Sequence, residues 1–235
     1  MILLSLIFSL CIKKDLGVFS ETRLIPIYSV NTLEKKISIT FDVNWGEDNT
    51  EKILEILDKY NVKATFFLVG AWIDNYPDKV KLIYSKGHEL GNHSDKHPDL
   101  TTISKERIVQ EIAAADAKIM NLTGVKAELF RCPSGAYNNL AIETIKSTGH
   151  YAVQWDADSI DWKEQGADLE FNRIIKKAAP GSILLFHNNA KYTPENLIRI
   201  LEYYKNNGYT FVKAGDLIFK ENYYINSNGR QFEKN

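Results

Sequence analysis

Polar residues with catalytic potential directly follow several strand-like runs of this chain. Asp42 follows ISITF, and His187 follows SILLF. In a barrel of parallel strands the loops after the strands build the active site, so side chains at these points are expected to meet on one rim. A single histidine after a strand is more often structural, but such residues at five strand ends argue for a shared site. The candidates are Asp42, His93, His97, Arg131, Asp158, Asp161 and His187.

The segment HSDKH predicts a metal site. Its histidines, His93 and His97, are four residues apart, which on a helical turn places both imidazoles on one face and suits a tetrahedral ion such as zinc. Two histidines at this spacing also often only cap or solvate a turn. The flanking Gly91, Asn92 and Pro98 favour a shaped loop over a long helix.

Acid–base chemistry is the second function that these residue types indicate. Asp42 would act as a general base on a metal-bound water, and His187 would protonate a leaving amine. Arg131, in RCPSG, is expected to be buried and therefore to need a partner. Asp42 is the obvious one, and the pair would lower the pKa of the carboxyl group. Each of these residues alone could be an ordinary buried polar group.

Three further residues have candidate supporting roles. The turn in RCPSG could direct the backbone N–H of Ser134 towards a developing oxyanion. Asp161 could orient His187. The indole of Trp162 offers a flat apolar wall for a sugar ring, although a role in the core is equally compatible with the sequence.

Short β-rich runs alternate with longer amphipathic stretches along the chain. Residues 50–60 and 104–122 carry apolar residues at helical spacing, with Ser104 as an N-cap. Gly87, Gly149 and Gly208 follow helical segments, where left-handed cap residues are expected. The predicted strands are residues 36–41, 64–69, 88–91, 129–131, 151–155, 182–186 and 209–212.

This alternation predicts an α/β fold, a distorted or incomplete (β/α) barrel of about seven parallel strands. Runs such as ATFFLV and SILLF are apolar on both faces, as strands covered on both sides must be. An open doubly wound sheet is the alternative, but its phosphate-binding glycine fingerprint is absent.

Composition limits the function classes. A chain of 235 residues with 44% hydrophobic residues can form the core of one barrel domain. Its 29 basic and 30 acidic residues nearly cancel, so nucleic acid is not an expected partner, and no obligate protein partner is indicated. With two cysteines, and Cys11 in an apolar leader, any metal must be held by histidine and carboxylate.

Residues 1–24 are interpreted as a hydrophobic leader and residues 25–235 as the catalytic domain. The apolar run at 2–12 is too short to span a bilayer but resembles the core of a secretory signal, although a preceding positive segment and a clear cleavage site are missing. We therefore expect export to the cell envelope or beyond, with the leader as an anchor if it is retained. A buried first segment of the domain is the alternative.

Five ordered segments resemble the polysaccharide deacetylase family, also called carbohydrate esterase family 4 or the NodB-type homology domain. They are TFDVNWG, HSDKH, RCPSG, DSIDW and LLFH, within residues 25–219. The segments IPIYSVNT, FDVNWG and LLFHNN are similar to a sporulation-associated branch.

The resemblance implies a role for each matching residue. Asp42 is the base and Arg131 supports it, and Asp161 tunes the acid His187. His93 and His97 bind a divalent ion, zinc or alternatively cobalt. Leu185 and Trp162 line the acetyl pocket.

The chain departs from the family pattern at two positions. Where members usually have a second aspartate as the third metal ligand, this chain has Val43, which cannot ligate. The shell must be completed by Asn44, Asp42, water or substrate, and strand alternation, which sends Val43 and Asn44 to opposite sides, argues against Asn44. Ser134 stands where many members have an aromatic residue, which affects the substrate groove.

The leading hypothesis is a metal-dependent hydrolase that removes N-acetyl groups from cell-wall polysaccharide, with peptidoglycan favoured over chitin-like oligomers. A carbohydrate-binding protein that kept the groove but lost efficient catalysis is the alternative. A metalloprotease is disfavoured because no histidine pair encloses a glutamate in the order those enzymes use.

Overall fold

The computed structural model describes residues 22–46 and 49–234. The predicted leader and Cys11 lie outside the described residues, apart from Thr22, Arg23 and Leu24. The strands are β1 (Ser29–Val30), β2 (Lys36–Val43), β3 (Thr65–Leu68), β4 (Glu89–Asn92), β5 (Leu129–Phe130), β6 (Tyr151–Ala152), β7 (Ala157–Asp158), β8 (Ile183–His187), β9 (Thr210–Phe211), β10 (Tyr223–Ile225) and β11 (Arg230–Glu233).

The main sheet has the order β6-β5-β4-β3-β2-β8-β7, with β9 also paired to β2. Every pairing within it is parallel. The sheet curls into a half-barrel, so the predicted incomplete (β/α) barrel is confirmed, with eight strands in place of about seven.

Helices follow most strands of the sheet. They are α1 (Thr50–Lys59), α2 (Gly70–Asn75), α3 (Pro77–Ser85), α4 (Lys105–Thr123), α5 (Asn139–Ser147), α6 (Ala167–Lys177), α7 (Thr193–Asn206) and α8 (Ala214–Leu217). The predicted N-cap is present, because the Ser104 side chain accepts a hydrogen bond from the N–H of Arg107. The predicted cap glycines Gly87, Gly149 and Gly208 all have left-handed backbones.

The core lies on both sides of the sheet. Alternate residues of β2, including Phe41 and Val43, pack outwards against the helices. A second cluster contains Phe67 and Ile183 together with Ile27 and Val30 from the N-terminal segment. That segment bridges to Val153 beyond β6 and to Ser182 before β8, and so links two distant parts of the curled sheet.

Two regions differ from the sequence-based expectation. The strand predicted at 151–155 is interrupted after Ala152, because Arg131 takes the carbonyls of Val153 and Gln154, and β7 follows at Ala157–Asp158. A second sheet, in the order β1-β11-β10, was not predicted. Its antiparallel hairpin turns at Gly229, whose φ of 77° is left-handed.

None of the helices in the described part of the chain combines the length and the apolar character needed to span a bilayer.

Candidate active site

The carboxyl ends of the parallel strands form a rim that carries the predicted site residues. Asp42 is on β2, and His187 is at the end of β8 directly beside it in the strand register. The other candidates lie at or after the ends of neighbouring strands: His93 and His97 come after β4, Arg131 after β5, Asp158 at the end of β7 and Asp161 after it.

Asp42 and Arg131 form a buried ion pair. Nη1 of Arg131 donates to Oδ1 of Asp42 at 2.8 Å. Nε and Nη2 of the same guanidinium donate to the carbonyls of Val153 and Gln154, at 3.2 and 3.0 Å. The guanidinium also lies over the ring of Phe67, 3.9 Å from its centroid. This network fixes one oxygen of Asp42 and leaves the other, Oδ2, available to the site.

The charge of Asp42 is stabilised despite its burial. Burial alone would raise the pKa of Asp42, but the Arg131 guanidinium and the imidazoles of His93 and His187 outweigh it and hold that pKa below its ordinary value. The carboxylate is therefore ionised at neutral pH, as a general base must be.

His93 is held as a neutral imidazole. Its Nδ1–H donates to the Arg131 carbonyl at 2.8 Å, which places the lone pair on Nε2. Nε2 lies 3.4 Å from Oδ2 of Asp42. This nitrogen is buried and has no hydrogen-bond partner among the described residues. Burial lowers the pKa of His93 to about 4, so the lone pair stays free at neutral pH.

His93 and His97 lie on an irregular loop, as the flanking Gly91, Asn92 and Pro98 indicated, and the helical turn considered for their spacing is wrong. Ser94 and His97 both have left-handed backbones, with φ of 67° and 57°. The Ser94 hydroxyl accepts a hydrogen bond from the N–H of His97 at 2.9 Å. The centroids of the His93 and His97 rings are nevertheless only 4.9 Å apart, because the loop folds back on itself.

Glu111 of α4 anchors this loop from below. One of its carboxylate oxygens, Oε2, accepts hydrogen bonds from the N–H groups of Asp95 and Lys96, at 3.0 and 2.7 Å. Its other oxygen is paired with the exposed Arg107. Sequence reasoning missed Glu111, whose only signal was a carboxylate on the otherwise apolar stripe of α4.

His187 and Asp161 form a second hydrogen-bonded pair. Nδ1 of His187 donates to Oδ1 of Asp161 at 2.7 Å. The other oxygen, Oδ2, accepts from the His187 backbone N–H at 2.8 Å and from the Thr193 hydroxyl at 2.6 Å. Asp161 thereby fixes the imidazole through Nδ1 and leaves Nε2 available to the site.

The same contacts set the protonation state of His187. Burial alone would lower the pKa of His187, but the hydrogen bond and the charge of Asp161 outweigh it and raise that pKa above its ordinary value. A larger share of the imidazole is then protonated at neutral pH, as a general acid requires.

The three residues predicted to bind substrate have different environments. Leu185 is buried on β8, two residues before His187 and thus on the same face of the strand. Trp162 is 59% exposed beside Asp161, which removes the core alternative for its indole. Ser134 is exposed with a left-handed backbone, and the role of its N–H stays a prediction.

The comparisons with known proteins identify the family. The family model described as "Polysaccharide deacetylase" matches residues 29–153, more than half of the chain. The chain belongs to the polysaccharide deacetylase family. The family that the five motifs resemble is thus confirmed.

Relatives in this family share about a third of the sequence. The peptidoglycan-N-acetylmuramic acid deacetylase PdaA of Bacillus subtilis is 34% identical over 83% of this chain and 75% of its own length. A peptidoglycan-N-acetylglucosamine deacetylase of Bacillus cereus is 34% identical over 81% of this chain and 92% of its own. A solved structure of a pseudoenzyme of carbohydrate esterase family 4 from Bacillus anthracis has a TM-score of 0.79 at 33% identity, covering 82% of this chain and 68% of that one.

Val43, at the position where family members usually have the second aspartate, does not face the site. Val43 is fully buried in the core on the helix side of β2. Asn44 points to the other side, where its amide nitrogen lies 3.4 Å from Nε2 of His97. Val43 and Asn44 do lie on opposite sides, as strand alternation predicts. The inference that this alternation keeps Asn44 out of the site is wrong, because Asn44 is the residue that faces His97. Alternation already places Asp42 in the site, and therefore also Asn44 two residues later.

Trp45 is another residue that the sequence reasoning did not single out. Its indole is 62% exposed and packs edge-on against the His97 ring, with centroids 5.6 Å apart. Large exposed aromatic side chains at a site rim are suited to stacking on sugar rings. The signal was its position, three residues after Asp42, in the loop that follows β2.

The donor atoms fit a divalent ion, although the carboxylate count is low for this family. Within residues 22–46 and 49–234, no group of three or more histidine, cysteine, aspartate or glutamate side chains could hold a metal. The neutral imidazole of His93, oriented by a backbone carbonyl, has the arrangement that metal-binding histidines usually show. Its unpaired Nε2 and the adjacent His97 ring supply two nitrogen donors.

Proposed function

We propose that this protein is a hydrolase that removes N-acetyl groups from the sugars of cell-wall polysaccharide. The observation that carries the proposal is that Asp42 and His187 lie side by side on one rim, each fixed by its own partner, Arg131 and Asp161. Relatives named as peptidoglycan deacetylases of both N-acetylmuramic acid and N-acetylglucosamine support peptidoglycan as the substrate class.

The chemistry follows from the two pairs. Asp42 takes a proton from the water that attacks the amide carbonyl carbon, and a C–O bond forms. His187 gives its proton to the amide nitrogen as the C–N bond breaks, so acetate and a free sugar amine are released. Arg131 holds the pKa of the base below its ordinary value, while Asp161 raises the pKa of the acid and orients it.

His93 and His97 would hold the divalent ion, zinc or alternatively cobalt. Such an ion supplies Lewis-acid polarisation of the acetyl carbonyl when it is bound. The exposed Trp162 would form a wall for the sugar, and Leu185 would form the apolar floor for the acetyl methyl group. The backbone N–H of Ser134 would face the developing oxyanion.

Acetate release tests this function directly. The protein is incubated with peptidoglycan fragments and, separately, with chitin oligomers, in the presence of zinc, cobalt or a chelator. We expect metal-dependent release that is faster with peptidoglycan. Release that is unaffected by chelator would contradict the metal dependence, and faster release from chitin would contradict the substrate class.

A non-catalytic carbohydrate-binding protein is the second candidate. A solved relative at a TM-score of 0.79 is a pseudoenzyme, and this chain has Val43 at the usual aspartate position. Retention of the base, its arginine, the acid and its aspartate argues against this role, because binding alone requires none of them. Saturable glycan binding without acetate release at any metal concentration would establish the binder.

Export is part of the proposal. We expect residues 1–24 to direct the protein to the cell envelope or outside it, where peptidoglycan lies. Fractionation of cells that express the full chain checks this expectation, because a chain found only in the cytosolic fraction would contradict it. We also propose a role in sporulation, from the similarity of three segments to the sporulation-associated branch; expression confined to vegetative growth of the source organism would contradict it.

A further inference from the structure

We propose that Asn44, through its amide oxygen Oδ1, is the third protein ligand of the divalent ion, one position later than the aspartate of the family pattern. This inference rests on the proposed function, because it concerns the ion held by His93 and His97. Asn44 would replace the aspartate ligand that this chain lacks at position 43.

The backbone of β2 directs Asn44 into the site. Side chains alternate along a strand, so Asp42 and Asn44 share one face and Val43 the other. Val43 is fully buried in the hydrophobic core with Phe41. A carboxylate at position 43 of this chain would therefore be buried among apolar side chains, away from the two histidines.

The contacts of Asn44 point to a missing partner. Its amide nitrogen lies 3.4 Å from Nε2 of His97. Its oxygen, Oδ1, is buried and lacks a hydrogen-bond partner among the residues that the structure describes, as does Nε2 of His93. Buried polar atoms are rarely left unpaired, because each has lost its hydrogen bonds to water. The unpaired oxygen and the unpaired nitrogen belong to side chains that both contact His97.

The amide nitrogen of Asn44 faces Nε2 of His97, the atom that would also bind the ion. The lone pair on Nε2 can accept from the Asn44 amide or ligate an ion, but not both. Ligation at His97 therefore requires the amide to turn its nitrogen away, and a half-turn of the amide presents Oδ1 instead. Two imidazole nitrogens and one amide oxygen are donors that divalent ions accept, although a neutral oxygen binds more weakly than a carboxylate.

Metal affinity of the full-length protein tests the assignment. Dissociation constants for Zn²⁺ and Co²⁺ are measured by competition with a chromophoric chelator, and the visible absorption of the Co²⁺ form reports the ligand set independently of activity. We expect Asn44→Ala to bind about tenfold or more weakly and to change the Co²⁺ spectrum. Asn44→Asp should bind more tightly than wild type.

Two further variants serve as controls. Asn75 lines the same pocket as Asn44 and His97, so Asn75→Asp adds an equal charge nearby without adding a ligand, and we expect unchanged affinity within about twofold. Val43→Asp should give no gain in affinity and a lower unfolding temperature, because it buries a charge in the core. Circular dichroism checks that the Asn44 variants are folded.

The outcomes separate the inference from the proposed function. If wild type binds both ions and Asn44→Ala keeps the same affinity and spectrum, the ligand assignment is wrong while the metal-dependent function stands. Tighter binding by Val43→Asp and not by Asn44→Asp would likewise overturn it. If wild type binds neither ion, both the assignment and the proposed metal dependence fail.

Discussion

Asp161 controls the acid of the proposed reaction through the pKa of His187. The imidazolium gains a carboxylate partner on folding, so its folded-state pKa is raised. The protonated form and its ion pair therefore persist above the ordinary pKa and are lost only as pH rises through the raised value. In Asp161→Asn that pKa falls, and we expect the alkaline limb of the pH–rate profile to move to lower pH.

The same variant should also lower kcat by about 10²–10⁴-fold at neutral pH, the usual range for an impaired general acid. The control is Asp168→Asn, which removes an equal charge from a side chain that is 87% exposed and paired with Arg199. Its profile should match wild type. An unshifted alkaline limb in Asp161→Asn would show that His187 is not the titrating acid.

At the level of single residues, the sequence was most informative about charged groups next to strands. Arg131 and Asp42 were expected to pair because a buried guanidinium needs a carboxylate, and the pair is present. Thr193 was missed, because nothing in its local sequence indicates that its hydroxyl donates to Asp161, 32 residues away.

The loop after β4 depends on α4 for its shape. Glu111→Ala would leave the N–H groups of Asp95 and Lys96 without their acceptor, and we expect the free energy of unfolding to fall by about 2 kcal/mol. Hydrogen exchange at these two amides should accelerate. Urea unfolding and exchange monitored by NMR provide the measurements.

Arg107→Ala is the matched control for that loop. This substitution removes the Arg107 side chain, which is 52% exposed, and leaves the bonds from Glu111 to the loop in place. The free energy of unfolding should therefore fall by only about 0–1 kcal/mol. Equal destabilisation by the two variants would mean that the ion pair on α4, rather than the bonds to the loop, carries the effect.

Strand β4 can approach its neighbour because Gly91 has no side chain. A Cβ at this position would lie 2.5 Å from the Phe67 ring, which itself packs under the Arg131 guanidinium. We expect Gly91→Ala to destabilise the fold by about 1–3 kcal/mol and to reduce activity by displacing Arg131. Adding Phe67→Leu to Gly91→Ala makes room for the new methyl group and should restore part of the stability and of the activity. If neither recovers, the effect of Gly91→Ala does not pass through Phe67.

Element prediction succeeded where burial imposes a pattern and failed where long-range contacts decide. Strands β3 and β8 are mostly apolar on both faces and β2 is apolar on the face towards the helices, and all three were located to within about two residues. A shaped loop at 93–97 was expected, but its left-handed conformation could not be predicted, because Ser94 and the distant Glu111 hold it in place. The β10–β11 hairpin was missed although the pair Asn228 and Gly229 is a hairpin signal.

On the scale of the whole molecule, exposed indoles beside the rim suit a polymeric sugar. Trp162 follows β7 and is 59% exposed, so Trp162→Ala should raise KM several-fold with little change in kcat. Leu33→Ala provides a control at a fully exposed residue outside the site. A fall in kcat alone would place Trp162 in the chemistry instead of the binding of substrate.

Curling of the parallel sheet is what brings residues from positions 42 to 187 onto one rim. The alternation of strands and helices predicted this architecture, because parallel strands need crossovers and place their carboxyl ends together. The link that the N-terminal segment makes across the sheet had no sequence signature, since it depends on bridges from Ile27 to Val153 and from Ser29 to Ser182.

The most direct test of the deacetylase proposal compares wild type with Asp42→Asn on peptidoglycan fragments, measuring acetate release and glycan binding together. Because the substitution leaves Arg131 buried without its carboxylate, His187→Gln is measured beside it, and thermal unfolding checks both variants. We predict that wild type releases acetate, that each variant loses about 10²–10⁴-fold in rate, and that glycan binding persists. Glycan binding by wild type with no acetate release, or undiminished release by folded Asp42→Asn and His187→Gln, would contradict the account.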